Sequence, residues 1–151
     1  MYLLDTHVIS ELRKVVDGRG DAHVAAWQHG VDPATCFISA ITLMKLEIGV
    51  LRMERRDTRQ GSLLRAWLED CVLPEFAGHV LPVDDAVARH CARLHVPAPR
   101  PDYDALIAAT ALAHGLTLVT RNTVDFAPMG VRLLDPWQAG MVQEPHARYG
   151  P

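Results

Sequence analysis

The segment DALIAATALAHGLTLVT, residues 104–120, decides the fold because it places a helix pattern directly before a strand pattern. Its alanine-rich first part favours a closely packed helix. Gly115 is a natural helix stop, and the apolar residues that follow it, 116–120, predict a buried strand. A helix that leads straight into a buried strand is typical of a parallel sheet with crossover helices.

The same alternation of strands and helices extends towards both ends of the chain. Apolar runs predict short strands at residues 2–4, 35–39, 80–83, 116–120 and 131–134. Helical periodicity fills the intervals, most clearly in the broad apolar face of residues 43–53. Strands that alternate with helices pair in parallel, so we expect an α/β fold, a three-layer sandwich with a central parallel sheet of about five strands.

The length of 151 residues suits a single domain. After Trp137 the sequence turns polar and contains Pro145, Gly150 and Pro151. We therefore predict one compact domain over residues 1–137 and a loosely ordered C-terminal tail over residues 138–151.

Charge and cysteine content limit the possible functions. A formal net charge of −3 argues against general nucleic-acid binding, although acids that hold divalent cations reverse the local potential that a phosphate meets. The three cysteines, Cys36, Cys71 and Cys91, lack the even number and the Cys-x-x-Cys spacing of disulfide frameworks and zinc sites. We expect a cytoplasmic protein, because the sequence also shows no signal peptide and no membrane-spanning stretch.

Four acidic residues stand where an α/β fold would bring them to one rim of the sheet: Asp5, Glu47, Asp104 and Asp125. Asp5 and Asp125 follow predicted strands, Asp104 opens a helix and Glu47 lies inside one. Ligands of open α/β sheets bind at the carboxyl ends of the strands. Converging carboxylates repel one another unless a cation intervenes, and such oxygen ligands suit Mg²⁺ or Mn²⁺.

Each of these acids also has an ordinary structural explanation. Asp5 could cap the helix that begins beside it, and Asp104 is favoured by the helix dipole in any case. Asp125 could be a turn residue. Glu47 interrupts an apolar stretch, where a carboxylate is costly unless it binds a metal, lies at the exposed helix edge or pairs with a base of its own helix, Lys45 or Arg52.

Three blocks of the sequence carry a family resemblance. They are LLDTHVISE at residues 3–11, ISAITLMKLEIG at residues 38–49, and the long block of residues 104–126 that contains the opening segment. In residue pattern and in order along the chain, they resemble the PIN-domain nucleases, and within them the VapC-type toxins of bacterial toxin–antitoxin modules. The blocks span nearly the whole chain up to Trp137, so the combination is specific although no single block is.

The resemblance implies an activity and a set of site residues. It implies a Mg²⁺-dependent or Mn²⁺-dependent endoribonuclease toxin, an RNA substrate, a cognate antitoxin protein and a homodimer. Asp5, Glu47 and Asp104 match the metal-binding acids of such nucleases. The fourth position stays open, because many relatives have an acid where Asn122 stands: either Asn122 is a neutral ligand or Asp125 supplies the charge.

Further residues are candidates for supporting roles. The hydroxyls of Thr6 and Thr120 could orient ligands or water. His7 stands where the family usually has Asn, and its imidazole could donate a hydrogen bond to a carboxylate, whereas its protonation would oppose metal binding. Lys45 stands where relatives usually have a neutral or acidic residue, and it either pairs with an acid of the site or points to solvent.

Two other functions remain open at this point. A non-catalytic PIN module that binds RNA or a protein partner would explain His7 and Asn122 as marks of a weakened site, and divalent-metal affinity at neutral pH would distinguish it. A phosphatase or phosphotransferase would use Asp5 as nucleophile. The Asp-x-Asp motif of that class needs an acid at position 7, where the chain has histidine.

Overall fold

The computed structural model describes residues 1–138 and 141–145. The strands of this part of the chain are β1 (Tyr2–Leu4), β2 (Cys36–Ser39), β3 (Val80–Leu81), β4 (Thr117–Val119), β5 (Leu133–Asp135) and β6 (Met141–Gln143). They form one six-stranded sheet in the order β3-β2-β1-β4-β5-β6. All neighbouring pairs are parallel except β5 and β6, which are antiparallel.

Helices occupy the connections between the strands. They are α1 (Thr6–Val16), α2 (Ala22–Gly30), α3 (Ala40–Arg56), α4 (Thr58–Trp67), α5 (Leu73–Glu75), α6 (Asp85–Leu94), α7 (Asp102–His114) and α8 (Thr123–Phe126). A π-helical turn, Leu68–Val72, joins α4 to α5. Pro74 is the second residue of the short α5, since proline is tolerated in the first turn of a helix. None of the described helices is both long and apolar enough to cross a bilayer.

Helices cover both faces of the sheet, which confirms the three-layer α/β sandwich. Successive residues of a strand point to opposite faces. Leu3 accordingly belongs to the core under α6 and α7, whereas Leu4 belongs to the core under α1 and α3. Both cores are apolar, and both leucines are at most 2% exposed.

The sheet differs from the prediction at one edge. It has six strands and not about five, and the additional strand β6 is antiparallel to β5. This strand lies in the segment that we predicted as a loosely ordered tail. Its three residues, Met-Val-Gln, form no apolar run, so hydrophobic patterning could not reveal a strand that pairs through its backbone with β5.

Strand register brings two polar residues together at the carboxyl ends of the central strands. Leu4 of β1 pairs with Val119 of β4. The next residues along the two strands are Asp5 and Thr120, so these side chains meet at the same rim of the sheet. The helix α7, which begins at Asp102 directly after Pro101, starts at this rim as well.

Candidate active site

Asp5 is the most tightly held acid of the site. It is 3% exposed and is the N-cap residue of α1. Its Oδ1 accepts a hydrogen bond of 2.8 Å from the backbone N–H of Thr6, and its Oδ2 accepts one of 2.9 Å from the hydroxyl of Thr120. The capping role and a place in the site are therefore compatible, because one carboxylate orientation serves both.

Thr120 connects Asp5 to the acid at the far side of the site. Its Oγ1 donates to Asp5 and accepts a hydrogen bond of 3.0 Å from the backbone N–H of Asn122. The Asn122 side-chain amide in turn donates to Asp125 Oδ2 over 3.0 Å. Asn122 thus orients the Asp125 carboxylate.

Asp104 lies in the first turn of α7, and its surroundings raise the pKa of its carboxyl group. Burial is the main cause of its raised pKa, and the negative charges of Asp5 and Asp125 raise it further. Positive charges on Lys45 and, more weakly, His7 act in the opposite direction on the same pKa. Asp5 and Asp125 are therefore near enough to Asp104 for their charges to act on it, as are Lys45 and His7, and we call the three carboxylates the acidic group.

Glu47 does not join this group. Both of its carboxylate oxygens accept hydrogen bonds from Arg65 Nη1, over 2.8 and 2.9 Å. Arg65 also binds Glu54 at 2.9 Å and lies 3.4 Å from Glu69. The sequence-based assignment of Glu47 to the metal site is therefore not supported by its position: it belongs to an ion-pair cluster between α3 and α4.

Helical phase explains why Lys45, two residues before Glu47, lies near Asp104 where Glu47 was expected. Two residues along an α-helix are separated by about 200° around its axis. Lys45 lines a cleft of about 360 Å³ together with Asp104, whereas Glu47 faces Arg65 of α4. Sequence reasoning noted Lys45 without placing it. No local signal places it, because the apolar residues of α3 occupy more than one side of the helix and only the structure shows that Leu46 and Val50 enter the core.

A second cleft lies beside His7. Its volume is about 420 Å³, and its lining combines bases, an acid and an aromatic ring: His7, Glu11, Lys14, Arg121, Asn122 and Trp137, with Ser10. The guanidinium of Arg121 lies over the ring of Trp137, 5.2 Å from its centroid. The sequence did not reveal this contact. Arg121 and Trp137 are 16 positions apart, so no local sequence pattern indicates that they meet.

The donor set suits a hard cation that is only partly held by the protein. Mg²⁺ commonly binds through one or two carboxylates and completes its shell with water and substrate phosphate. Asp5, Asp104 and Asp125 supply such oxygens, and the mutual repulsion that raises the pKa of Asp104 is the kind that a cation relieves. The buried hydroxyl of Thr6 finds no hydrogen-bond partner among the described residues. Within residues 1–138 and 141–145, however, no three His, Cys, Asp or Glu side chains form a ready-made cage.

Comparison with known proteins identifies the family. The model of the PIN domain matches residues 2–129. VapC ribonuclease Y4jK of Sinorhizobium fredii is 38% identical over 143 residues, which cover 91% of this chain and 99% of that protein. Toxin FitB of Neisseria gonorrhoeae is 37% identical with the same coverages.

Solved structures agree in fold. The crystal structure of FitAcB from Neisseria gonorrhoeae has a TM-score of 0.83 at 35% identity, covering 91% of this chain and 99% of that one. A toxin–antitoxin complex from Klebsiella pneumoniae has a TM-score of 0.61 at 25% identity and covers 90% and 98%. A family match over most of the chain, two full-length relatives and a shared fold agree with one another, and the chain belongs to the PIN domain family.

Proposed function

We propose that this chain is an endoribonuclease that depends on Mg²⁺ or Mn²⁺ and acts as the toxin of a toxin–antitoxin module. The observation that carries the proposal is the acidic group at the carboxyl ends of β1 and β4, where Asp5, Asp104 and Asp125 act on one another. The names of the relatives, a VapC ribonuclease and a toxin, support the same activity. The phosphatase alternative loses its basis, because the family is PIN and position 7 lacks the required acid.

The residues of the acidic group have different tasks in this proposal. Asp5 and Asp104 would hold the cation, which when bound polarises the scissile phosphate and acidifies water. The hydrogen bonds from Thr6 and Thr120 fix the Asp5 carboxylate, so that its oxygens keep one orientation. Asp125, oriented by the Asn122 amide, adds negative charge near Asp104 and is our choice for the fourth position.

The cleft beside His7 supports RNA as the substrate. Lys14 and Arg121 offer positive charge for the phosphates of a strand, His7 offers ring nitrogens for hydrogen bonds, and Trp137 offers an aromatic face. Single-stranded nucleic acids bind to sites that combine basic grooves with aromatic rings, and arginine contributes through its contact with the ring. The overall charge of −3 does not oppose this, because a strand bound in the cleft meets its local charges, among them those of Lys14 and Arg121.

A partner protein and a second copy complete the proposal. A related structure is a toxin–antitoxin complex, which supports a cognate antitoxin for this chain. Leu51 of α3 and Leu63 of α4 are 50% and 53% exposed, which supports a homodimer through these helices. The three free cysteines support a location in the cytoplasm, where thiols stay reduced.

A catalytically weak PIN module that binds RNA or protein is the second candidate. Lys45 favours it, because an ammonium beside Asp104 competes with a divalent cation. Under this alternative the fold and the antitoxin contact would persist, but RNA cleavage would not.

Cleavage of a mixed RNA pool by the purified chain, freed of any partner, tests the proposal. The assay is run with Mg²⁺, with Mn²⁺ and with EDTA, and with Asp5→Ala as a control for contaminating nucleases. We expect cleavage with either metal, and none with EDTA or with the variant. A folded wild-type chain that leaves RNA intact under all conditions would contradict the nuclease and favour the binding module.

A further inference from the structure

Lys45 places a positively charged ammonium near the acidic group. It projects from α3 into the cleft that Asp102, Tyr103 and Asp104 form at the start of α7. Lys45 and Asp104 therefore face the same cleft of about 360 Å³. The chain contains one other lysine, Lys14, which lies near Glu11 on α1.

The fold commits Lys45 to this place. The position two residues further along α3 carries Glu47, which Arg65 holds on the other side of the helix. A rotation of α3 that would exchange the two side chains would also expose Leu46 and Val50, which are 5% and 1% exposed. The packing of α3 therefore keeps Lys45 on the side of the helix that faces the cleft.

An ammonium in this position has a predictable electrostatic effect. It attracts the carboxylates of Asp5, Asp104 and Asp125, and it repels a divalent cation that approaches the same oxygens. The side chain is tethered, so the ammonium is always present near the acids, and a higher metal concentration is needed to load the site.

We propose that Lys45 is a built-in counter-ion of the acidic group, which lets the site fold without metal and weakens its affinity for divalent cations. The inference rests on the proposed function and deepens it, since it assigns the site at most one weakly held divalent ion. Lys45 would thus set the metal concentration at which the site loads.

A titration with Mn²⁺ tests the inference without RNA. Unbound Mn²⁺ is measured by electron paramagnetic resonance in solutions of the wild-type chain, Lys45→Gln, Lys45→Arg and Arg52→Gln. Removing the charge in Lys45→Gln should tighten binding by about tenfold or more. Lys45→Arg keeps the charge and should bind as weakly as wild type. Arg52 lies two turns further along the same side of α3 and is exposed, so Arg52→Gln controls for the general loss of one positive charge.

The result that would overturn the inference is a Lys45→Gln affinity within twofold of wild type, or a wild-type chain that holds two Mn²⁺ as tightly as the variant does. Lys45→Met keeps the aliphatic stem and replaces Lys45→Gln if circular dichroism finds the latter unfolded. Tighter Mn²⁺ binding without any RNA cleavage would contradict the proposed function and leave this inference intact. RNA cleavage by wild type, together with equal Mn²⁺ affinities in all variants, would contradict this inference and leave the proposed function intact.

Discussion

The hydroxyl of Thr120 donates a hydrogen bond of 2.9 Å to the Asp5 carboxylate, across 115 positions of sequence. The two residues end the neighbouring parallel strands β4 and β1, whose register places Val119 beside Leu4. Thr120 Oγ1 also accepts the backbone N–H of Asn122, so the hydroxyl has both a donor and an acceptor role. The sheet thereby sets the orientation of the first acid of the site.

Replacing Thr120 with valine tests this relationship. The change keeps the shape of the side chain but removes the hydrogen bond to a buried carboxylate and leaves the Asn122 N–H without its acceptor. We expect the free energy of unfolding to fall by about 2 kcal/mol, because hydrogen bonds to charged groups contribute about 1.5–3 kcal/mol. RNA cleavage should fall at least about tenfold, equivalent to roughly 1.4 kcal/mol of barrier. Urea unfolding and an RNA cleavage assay measure the two effects.

Thr110→Val is the matched control for this change. Thr110 is also fully buried, but its hydroxyl donates to the Leu106 carbonyl within α7. The control should lose about 1 kcal/mol and cleave RNA at the wild-type rate. Equal loss of cleavage in both variants would show that general destabilisation, and not the Asp5 contact, is responsible.

Asp104 should make stability depend on pH in a defined direction. Its pKa is raised in the folded chain, chiefly by burial, so the folded state binds more protons than the unfolded state between the ordinary aspartate value and the raised value. The contribution of this group to stability is complete below the ordinary value and is lost as pH rises through the raised one. Asp104→Asn should therefore stabilise the fold at pH 7 and have little effect at acidic pH.

Urea unfolding at pH 7 and at pH 4 measures the difference. Asp102→Asn serves as control, because Asp102 lies in the same first turn of α7 with its side chain 89% exposed. Both variants lose the favourable interaction with the helix dipole, but only Asp104→Asn removes a half-buried carboxylate. If Asp104→Asn destabilised the fold at pH 7 more than the control does, the repulsion within the acidic group would be refuted.

Arg65 should matter for stability and not for cleavage. It binds Glu47 and Glu54 and so connects α4 to α3 on the side away from Asp104. Arg65→Gln should lower Tm by a few degrees and leave RNA cleavage within twofold of wild type. Arg59→Gln, at an exposed position of the same helix, should change neither quantity. A large loss of cleavage in Arg65→Gln would mean that the ion-pair cluster takes part in the site.

Gly61 allows α4 to lie close against α3. A Cβ added at this position would come within 2.5 Å of the Glu54 Cα, a backbone atom that cannot move aside. Gly61→Ala should therefore reduce the free energy of unfolding by about 2 kcal/mol. Gly49→Ala has open space and should stabilise α3 by roughly 0.5–1 kcal/mol. Differential scanning calorimetry of both variants checks this, and a stable Gly61→Ala would argue against the close approach.

The parts of the site that follow from chain direction could be predicted from the sequence. Asp5 comes directly after a strand, and Asp104 comes at the start of a helix that precedes a neighbouring strand. Parallel pairing places both positions at one rim, whatever the details of packing. The sixth strand could not be predicted, because three residues with mixed polarity pair through backbone groups that all residues share.

The part of the site that depends on helical phase could not be predicted. The apolar residues of α3 occupy more than one side of the helix, so periodicity alone left the direction of Glu47 undetermined. The direction is fixed by Arg65, which lies 18 residues away on a different helix. The sequence singled out Lys45 as a departure from the family pattern, but its proximity to Asp104 required the structure.

A comparison of two single carboxylate-to-amide changes tests the central claim most directly. RNA cleavage rates are measured for Asp104→Asn and Glu47→Gln beside wild type, in the presence of Mn²⁺ and with equal amounts of folded protein. We predict that Asp104→Asn loses about hundredfold or more, equivalent to about 2.7 kcal/mol of barrier, whereas Glu47→Gln cleaves within twofold of wild type. Equal losses in both variants, or a wild-type rate in Asp104→Asn, would contradict the assignment of the active site to Asp5, Asp104 and Asp125.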